Sequence, residues 1–206
     1  MKNAKCRQCR SAGEKLFLKG DRCFSVKCSI IKRNYGPGLH GQARKRMPSE
    51  YGVRLKEKQK MRRIYNISEK QFRKYFRKAN QKQENTGSAL VQILETRLDN
   101  VIFRSGLAKS RSQARQMTTH SFFKINNRKI DIPSFSVKPG DLIEIKQNKK
   151  NTVLIQDLKE NLKSAKPASW LNFDKKQLNI KILNLPIPEQ IDHKVNLQLV
   201  VEYYSK

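Results

Sequence analysis

Residues 97–117 read R-L-D-N-V-I-F-R-S-G-L-A-K-S-R-S-Q-A-R-Q-M, and the punctuation of this stretch sets the architecture of the middle of the chain. Leu98, Val101 and Ile102 continue an apolar period of 3.6 begun by Leu90, Val91 and Leu94, so one helix is expected across the span, stopped at Gly106. A second, short helix opens at Ser110, whose hydroxyl suits an N-cap with Gln113 three residues on, and it runs to Thr119. Ala114 and Met117 take its inner face. Arg111, Arg115 and Gln116 point outward.

Downstream the period changes to 2. Residues 122–126, 128–132 and 142–145 read as short strands, the last following the turn Lys138-Pro139-Gly140-Asp141. The expected fold class is therefore α+β: a small central module of two short helices against a small antiparallel sheet, preceded by a mainly helical N-terminal region with a four-cysteine metal knuckle. The expected divisions are 1–45 (knuckle and basic glycine-rich loop), 46–90 (basic helical region, packed with the tail 192–206) and 91–191 (the central module with an extension). Within the extension, residues 156–166 read as a weak helix, and Trp170, Leu171, Leu178, Ile180 and Ile182 as strand or packing positions. The tail 195–204 carries both periodicities, which leaves its type open.

Working toward the amino terminus, Ser68 and Gln71 form another capping box, followed by Phe72, Tyr75, Phe76 and Ala79 at the spacing of an amphipathic helix with an aromatic core face. Before it lies Y-G-V-R-L-K-E-K-Q-K-M-R-R-I-Y at 51–65, a helix with one narrow apolar side and otherwise cationic faces. Its Arg54, Lys56, Lys58, Lys60, Arg62 and Arg63 are met by a single local acid, Glu57, so phosphate contact is expected of them. Arg44, Lys45 and Arg46, which leave the glycine-rich loop 35–41, join the same expected set, as does Arg73.

All four cysteines fall in the first 28 residues, at Cys6, Cys9, Cys23 and Cys28. The pattern C-x₂-C-x₁₃-C-x₄-C is two chelating pairs joined by a loop, the spacing at which four thiolates converge on one zinc ion. An iron–sulfur cluster uses the same ligand set. Four protein ligands leave no open position for a reacting water, so such a site organises folding. Clustered thiols suit a reducing compartment better than a dispersed disulfide framework.

Charge narrows the partner. Lys and Arg number 45 against 17 Asp and Glu, a formal net charge of +28 with a pI near 10.3, far beyond the magnitude of ~2–8 typical of a small domain. The first 90 residues hold 25 of the cations and 6 of the acids, so the amino-terminal half is the stronger electrostatic anchor. A nucleic-acid backbone relieves such charge by counterion release. The chain has no apolar run of about 18 residues, which argues against a membrane partner.

Taken in order, the cysteine knuckle, G-P-G-L-H-G at 36–41, the 51–65 helix, the 97–117 stretch, P-S-F-S-V-K-P-G-D-L-I at 133–143 and Y-Y-S-K at 203–206 closely resemble the bacterial and organellar S4 (uS4) family of small-subunit ribosomal proteins, nearly end to end. The resemblance implies a non-enzymatic constituent of the small ribosomal subunit, cytoplasmic or organellar. It implies a primary binder of small-subunit rRNA that helps nucleate assembly, neighbours the fifth small-subunit protein (uS5) and lies near the messenger entry path, where it influences accuracy. It further implies that the central module is the RNA-binding domain named after the family, with RNA-facing positions falling here at Arg104, Lys109, Ser110, Arg111, Arg115, Gln116 and His120. Asn126-Asn127 stands where the family's hairpin usually reads Asn-Gly.

Overall fold

A computed structural model describes residues 4–44, 46–82, 85–150, 152, 155–156, 167–175, 177–191 and 194–205. The chain divides into two compact units, Met1–Leu90 with Asp192–Lys206, and Val91–Ile191.

In the first unit, α1 (Lys5–Ala12) ends at Gly13, whose φ of 79° lets its N–H reach back to the carbonyls of Cys9 and Arg10. A 3₁₀ turn, Gly20–Cys23, and the single-turn α2 (Ser29–Lys32) follow. The glycine-rich loop then folds back on itself. A Cβ at Gly41 would sit 2.1 Å from the Gly36 carbonyl oxygen, so no side chain fits there. Arg10 pins this loop to α1, donating from Nε to the Tyr35 carbonyl at 2.9 Å and from Nη2 to that of Gly36 at 2.8 Å, with its guanidinium over the Tyr35 ring.

Ser49 caps α3 (Glu50–Ile64) by accepting from the Gly52 N–H, and Ser68 caps α4 (Glu69–Asn80) by accepting from the Gln71 N–H. Phe72, Tyr75, Phe76 and Ala79 are all buried, so the aromatics expected at core spacing do form core. The tail whose type the sequence left open is a helix, Leu197–Ser205. Val200 on it is fully buried, and the Tyr204 ring stacks on Phe76 at 4.6 Å.

The single helix expected up to Gly106 is two, α5 (Thr86–Glu95) and α6 (Leu98–Arg104). Thr96 ends the first by returning its hydroxyl to the carbonyls of Gln92 and Ile93, and Arg97 is extended at φ −68°, ψ 138°. The freed backbone is taken up across the chain, the N–H of Leu98 donating to Phe135 and that of Asp99 to Pro133. Apolar spacing alone cannot register such a break, because both helices keep their apolar residues on the core side.

After α6, Gly106 adopts φ 87° and Ser110 caps α7 (Arg111–Thr119). The strands β1 (Phe123–Ile125), β2 (Arg128–Lys129), β3 (Leu142–Ile145), β4 (Leu171–Asp174) and β5 (Asn179–Ile182) form an antiparallel sheet in the order β2-β1-β3-β5-β4. Asn126 and Asn127 both take positive φ, 47° and 66°, as a type I′ hairpin turn requires. The one-turn helix α8 (Gln147–Lys150) follows β3. Leu98, Ile102, Leu107, Met117, Phe123, Ile143 and Ile180 fill one core between the helices and the sheet. A fully buried side chain such as Phe123 contributes about 1.5–3 kcal/mol. The weak helix expected over 156–166 lies almost wholly outside the described residues.

Candidate nucleic-acid interface

The cations expected to meet phosphate separate into two groups. In the first unit Arg44, Arg46, Lys56 and Arg73 are exposed, whereas Lys58 and Lys60 are buried. Lys58 donates to Glu69 Oε1 at 2.9 Å and lies 4.6 Å from the Tyr203 ring centroid. Lys60 pairs with Glu14 at 2.7 Å. Arg54 is held between Glu50 at 3.0 Å and Glu202 at 2.9 Å. These three basic side chains, read from sequence as phosphate ligands, tie α3 to the turn that follows α1, to α4 and to the C-terminal helix. Their acids lie up to 148 residues away, so counting neighbours along the chain does not find them.

Arg62 lies 3.6 Å from Glu69, and Arg63 is half-buried, where desolvation lowers its pKa from the ordinary guanidinium value. Burial would raise the Glu69 carboxyl, but the Lys58 ammonium, the Tyr204 hydroxyl and Arg62 together hold it below the usual carboxylate range. Tyr204 is correspondingly pushed up by burial and by donating its hydroxyl to Glu69 at 2.8 Å. Lys45 lies outside the described residues.

In the second unit, α6 and α7 bring Arg104, Arg111 and Arg115 beside two buried acids. Glu95, with no exposed surface, receives Arg104 through both oxygens at 2.8 and 2.9 Å, and Asn100 Nδ2 at 2.7 Å. Arg111 donates from Nε to Asn100 Oδ1 at 2.7 Å, stacks 4.5 Å from the Phe103 centroid, and lies 3.9 Å from Glu95. Asp99 accepts from the buried Arg97 at 2.6 and 3.0 Å and lies 3.9 Å from Arg115. Lys109, Gln116 and His120 are exposed around this arginine row. The Ser110 hydroxyl accepts from the Gln113 N–H, and Gln113 Oε1 accepts from the N–H of Lys109, the residue before the cap, at 2.8 Å. Sequence reading singled out the three arginines but not Glu95, Asp99, Asn100 or Phe103, which orient them. A signal exists in the sequence, for acids inside an apolar helical stretch must find cations.

The four thiols come together on one side of α1. Cys6, Cys9, Cys23 and Cys28 line a single cavity of about 10 Å³, room for one water-sized particle, along with Lys5, Leu18, Lys19, Arg22 and Ser29. The Lys19 N–H donates to Cys23 Sγ at 3.3 Å. Burial pushes the Cys9 thiol up. The donor chemistry fits zinc, yet among the described residues no group of three or more His, Cys, Asp or Glu side chains is drawn together closely enough to hold an ion. The expected knuckle is thus present as four thiols around a cavity, and not as a closed ligand shell.

Comparison with known proteins gives this arrangement a context. Residues 1–95 match the model of the ribosomal protein S4/S9 N-terminal domain and residues 96–143 that of the S4 domain. Small ribosomal subunit protein uS4 of Syntrophomonas wolfei is 54% identical over 201 residues, 98% of this chain and 96% of that protein. The uS4 of Thermus thermophilus is 49% identical with the same coverage, and uS4A of Alkaliphilus metalliredigens is 48% identical over 99% of this chain and 98% of its own length. The chain belongs to the uS4 family. A uS4-family chain is a structural ribosomal protein and not an enzyme. The S4-domain match begins at Thr96, where α5 gives way to α6, and it contains the whole arginine row. No helix among the described residues is long and apolar enough to cross a membrane.

Proposed function

We propose that this chain is a structural constituent of the small ribosomal subunit and a primary binder of its rRNA. The observation that carries this is the set of arginines on α6 and α7, oriented by buried acids and bordered by exposed Lys109, Gln116 and His120, inside the matched S4 domain. Guanidinium forks suit bidentate phosphate contact, and Lys109 acts as a point charge. The exposed Arg44, Arg46, Lys56 and Arg73 add a second, sequence-indifferent anchor on the first unit. A folded rRNA junction is read by such surfaces chiefly through shape. In this reading the chain joins early in assembly, contacts neighbouring proteins including uS5, and contributes to the messenger entry region and to accuracy. The host ribosome is cytoplasmic or organellar. Binding of the whole chain to folded small-subunit rRNA, against duplex DNA of equal length in the same salt, tests the role: rRNA is expected to win, and equal affinity overturns the reading.

Cys6, Cys9, Cys23 and Cys28 are further proposed to hold one structural zinc, with an iron–sulfur cluster as the alternative for the same thiols. The support is their shared cavity and their chemical type. Such a group would supply folding energy to the amino-terminal segment and no reaction. Metal analysis of the purified chain is expected to find about one zinc per chain, lost in the Cys9→Ser variant; an unchanged metal content in that variant removes the assignment.

A further inference from the structure

We infer that Glu95, a buried acid in a chain that binds a polyanion, is a positioning residue for RNA recognition, holding Arg104 and Arg111 in the orientation that phosphate meets. The inference rests on the RNA-binding reading above and adds to it a residue of the wrong charge for direct contact.

Glu95 has no exposed surface, and its carboxylate sits at the end of α5, just before the break at Thr96 and Arg97. Both of its oxygens are engaged by the Arg104 fork, Nη2 at 2.8 Å and Nε at 2.9 Å. Asn100 donates to Oε2 at 2.7 Å and also to the Glu95 carbonyl at 3.1 Å, which fixes the Asn100 amide so that its oxygen receives Arg111 Nε at 2.7 Å. Glu95 therefore acts on Arg111 by two routes, through that amide and directly at 3.9 Å.

The two arginines are only partly covered, their side chains 23% and 16% exposed. A long cationic side chain on a surface ordinarily surrenders rotamer freedom when a ligand fixes it. Here Glu95, Asn100 and the Phe103 face have fixed both before any ligand arrives. Preorganisation of this kind raises affinity with no contact of its own.

Charge and positioning give opposite signs for one substitution, which makes the inference testable. Glu95→Gln keeps the shape and the length and removes one negative charge. If Glu95 were only an acid near a basic surface, the variant would bind RNA as tightly as the wild type or more tightly, because the net charge rises by one. If it positions Arg104 and Arg111, the variant binds about tenfold more weakly despite the added charge.

The experiment measures binding of the full chain to transcribed, folded small-subunit rRNA, with duplex DNA as the reference, for wild type, Glu95→Gln, Arg111→Lys and the double variant. Positioning predicts that Arg111→Lys, which keeps the charge and loses the fork, also weakens binding to the wild-type level divided by about ten, and that it adds little in the Glu95→Gln background. Unchanged or tighter binding by Glu95→Gln, or fully additive losses in the double variant, overturns the inference while wild-type preference for rRNA leaves the RNA-binding reading intact. Absence of that preference overturns both. Should Glu95→Gln fail to fold by circular dichroism, Arg111→Lys alone decides: wild-type affinity in that variant shows charge without orientation to be sufficient and ends the proposal.

Discussion

Raising monovalent salt from about 50 to about 200 mM is expected to weaken binding of this chain to folded small-subunit rRNA by about 1,000-fold. The size of this effect follows from the cations that the fold leaves exposed. Arg44, Arg46, Lys56, Arg73 and Lys109 are exposed and the Arg115 side chain is 44% so. Phosphate contacts by these six alone, before Arg104 and Arg111 add theirs, give a slope of log affinity against log salt of about −4 to −5, and a fourfold change in salt then accounts for a loss of that size. Alanine at Arg44, Arg46 or Arg73 should flatten the slope by about one unit each. Lys58→Ala and Lys60→Ala are expected to leave it unchanged, since both ammonium groups are buried against Glu69 and Glu14, and to lower stability instead. A slope shallower than about −2 in a salt titration would mean that the net charge of +28 acts as a diffuse field and not through fixed contacts.

That contrast marks where sequence reading succeeds and where it stops. Caps and core faces are local events, so Ser68 with Gln71, Ser110 with Gln113, and the buried set Phe72, Tyr75, Phe76 and Ala79 all stand where periodicity and capping chemistry put them. Asn126 and Asn127 likewise carry the positive φ that a two-residue hairpin demands. The basic helix α3 was only half legible. Its helical form follows from its composition, but the roles of its cations depend on Glu14, Glu69 and Glu202, which reach it by folding. The C-terminal helix was illegible for a related reason. Its apolar residues fit two periods, and only docking of Val200 and Tyr204 against the first unit selects one. The break between α5 and α6 is the third case. It accompanies the Thr96 hydroxyl bonds back into α5 and the contact of Arg97 with Asp99, a pair two residues apart that a helix would hold on different faces.

Replacing Asp99 by alanine is expected to destabilise the second unit by about 3–5 kcal/mol. Arg97 and Asp99 have side chains only 3% and 5% exposed, joined by two hydrogen bonds of 2.6 and 3.0 Å. Removing the acid takes both of those hydrogen bonds from a buried guanidinium at the α5–α6 junction, where the Leu98, Asp99 and Val137 N–H groups bond across the chain to Phe135, Pro133 and Thr96. It also removes the countercharge 3.9 Å from Arg115 and an acid from the first turn of α6. Trp170, the single tryptophan, is buried in the same core, so its fluorescence in urea follows this unit. With a slope of about 2 kcal/mol per M, the midpoint should fall by about 2 M. The double variant Arg97→Met with Asp99→Leu removes both charges together, and it should recover most of the loss, because a buried ion pair replaced by apolar side chains of similar volume is often neutral. If the double variant is as unstable as the single one, the pair's contribution lies in the backbone geometry it imposes at the junction and not in the pairing of its charges. Glu95→Gln provides the internal comparison: the arginines it releases are partly exposed and find solvent, so its stability loss should be well below that of Asp99→Ala.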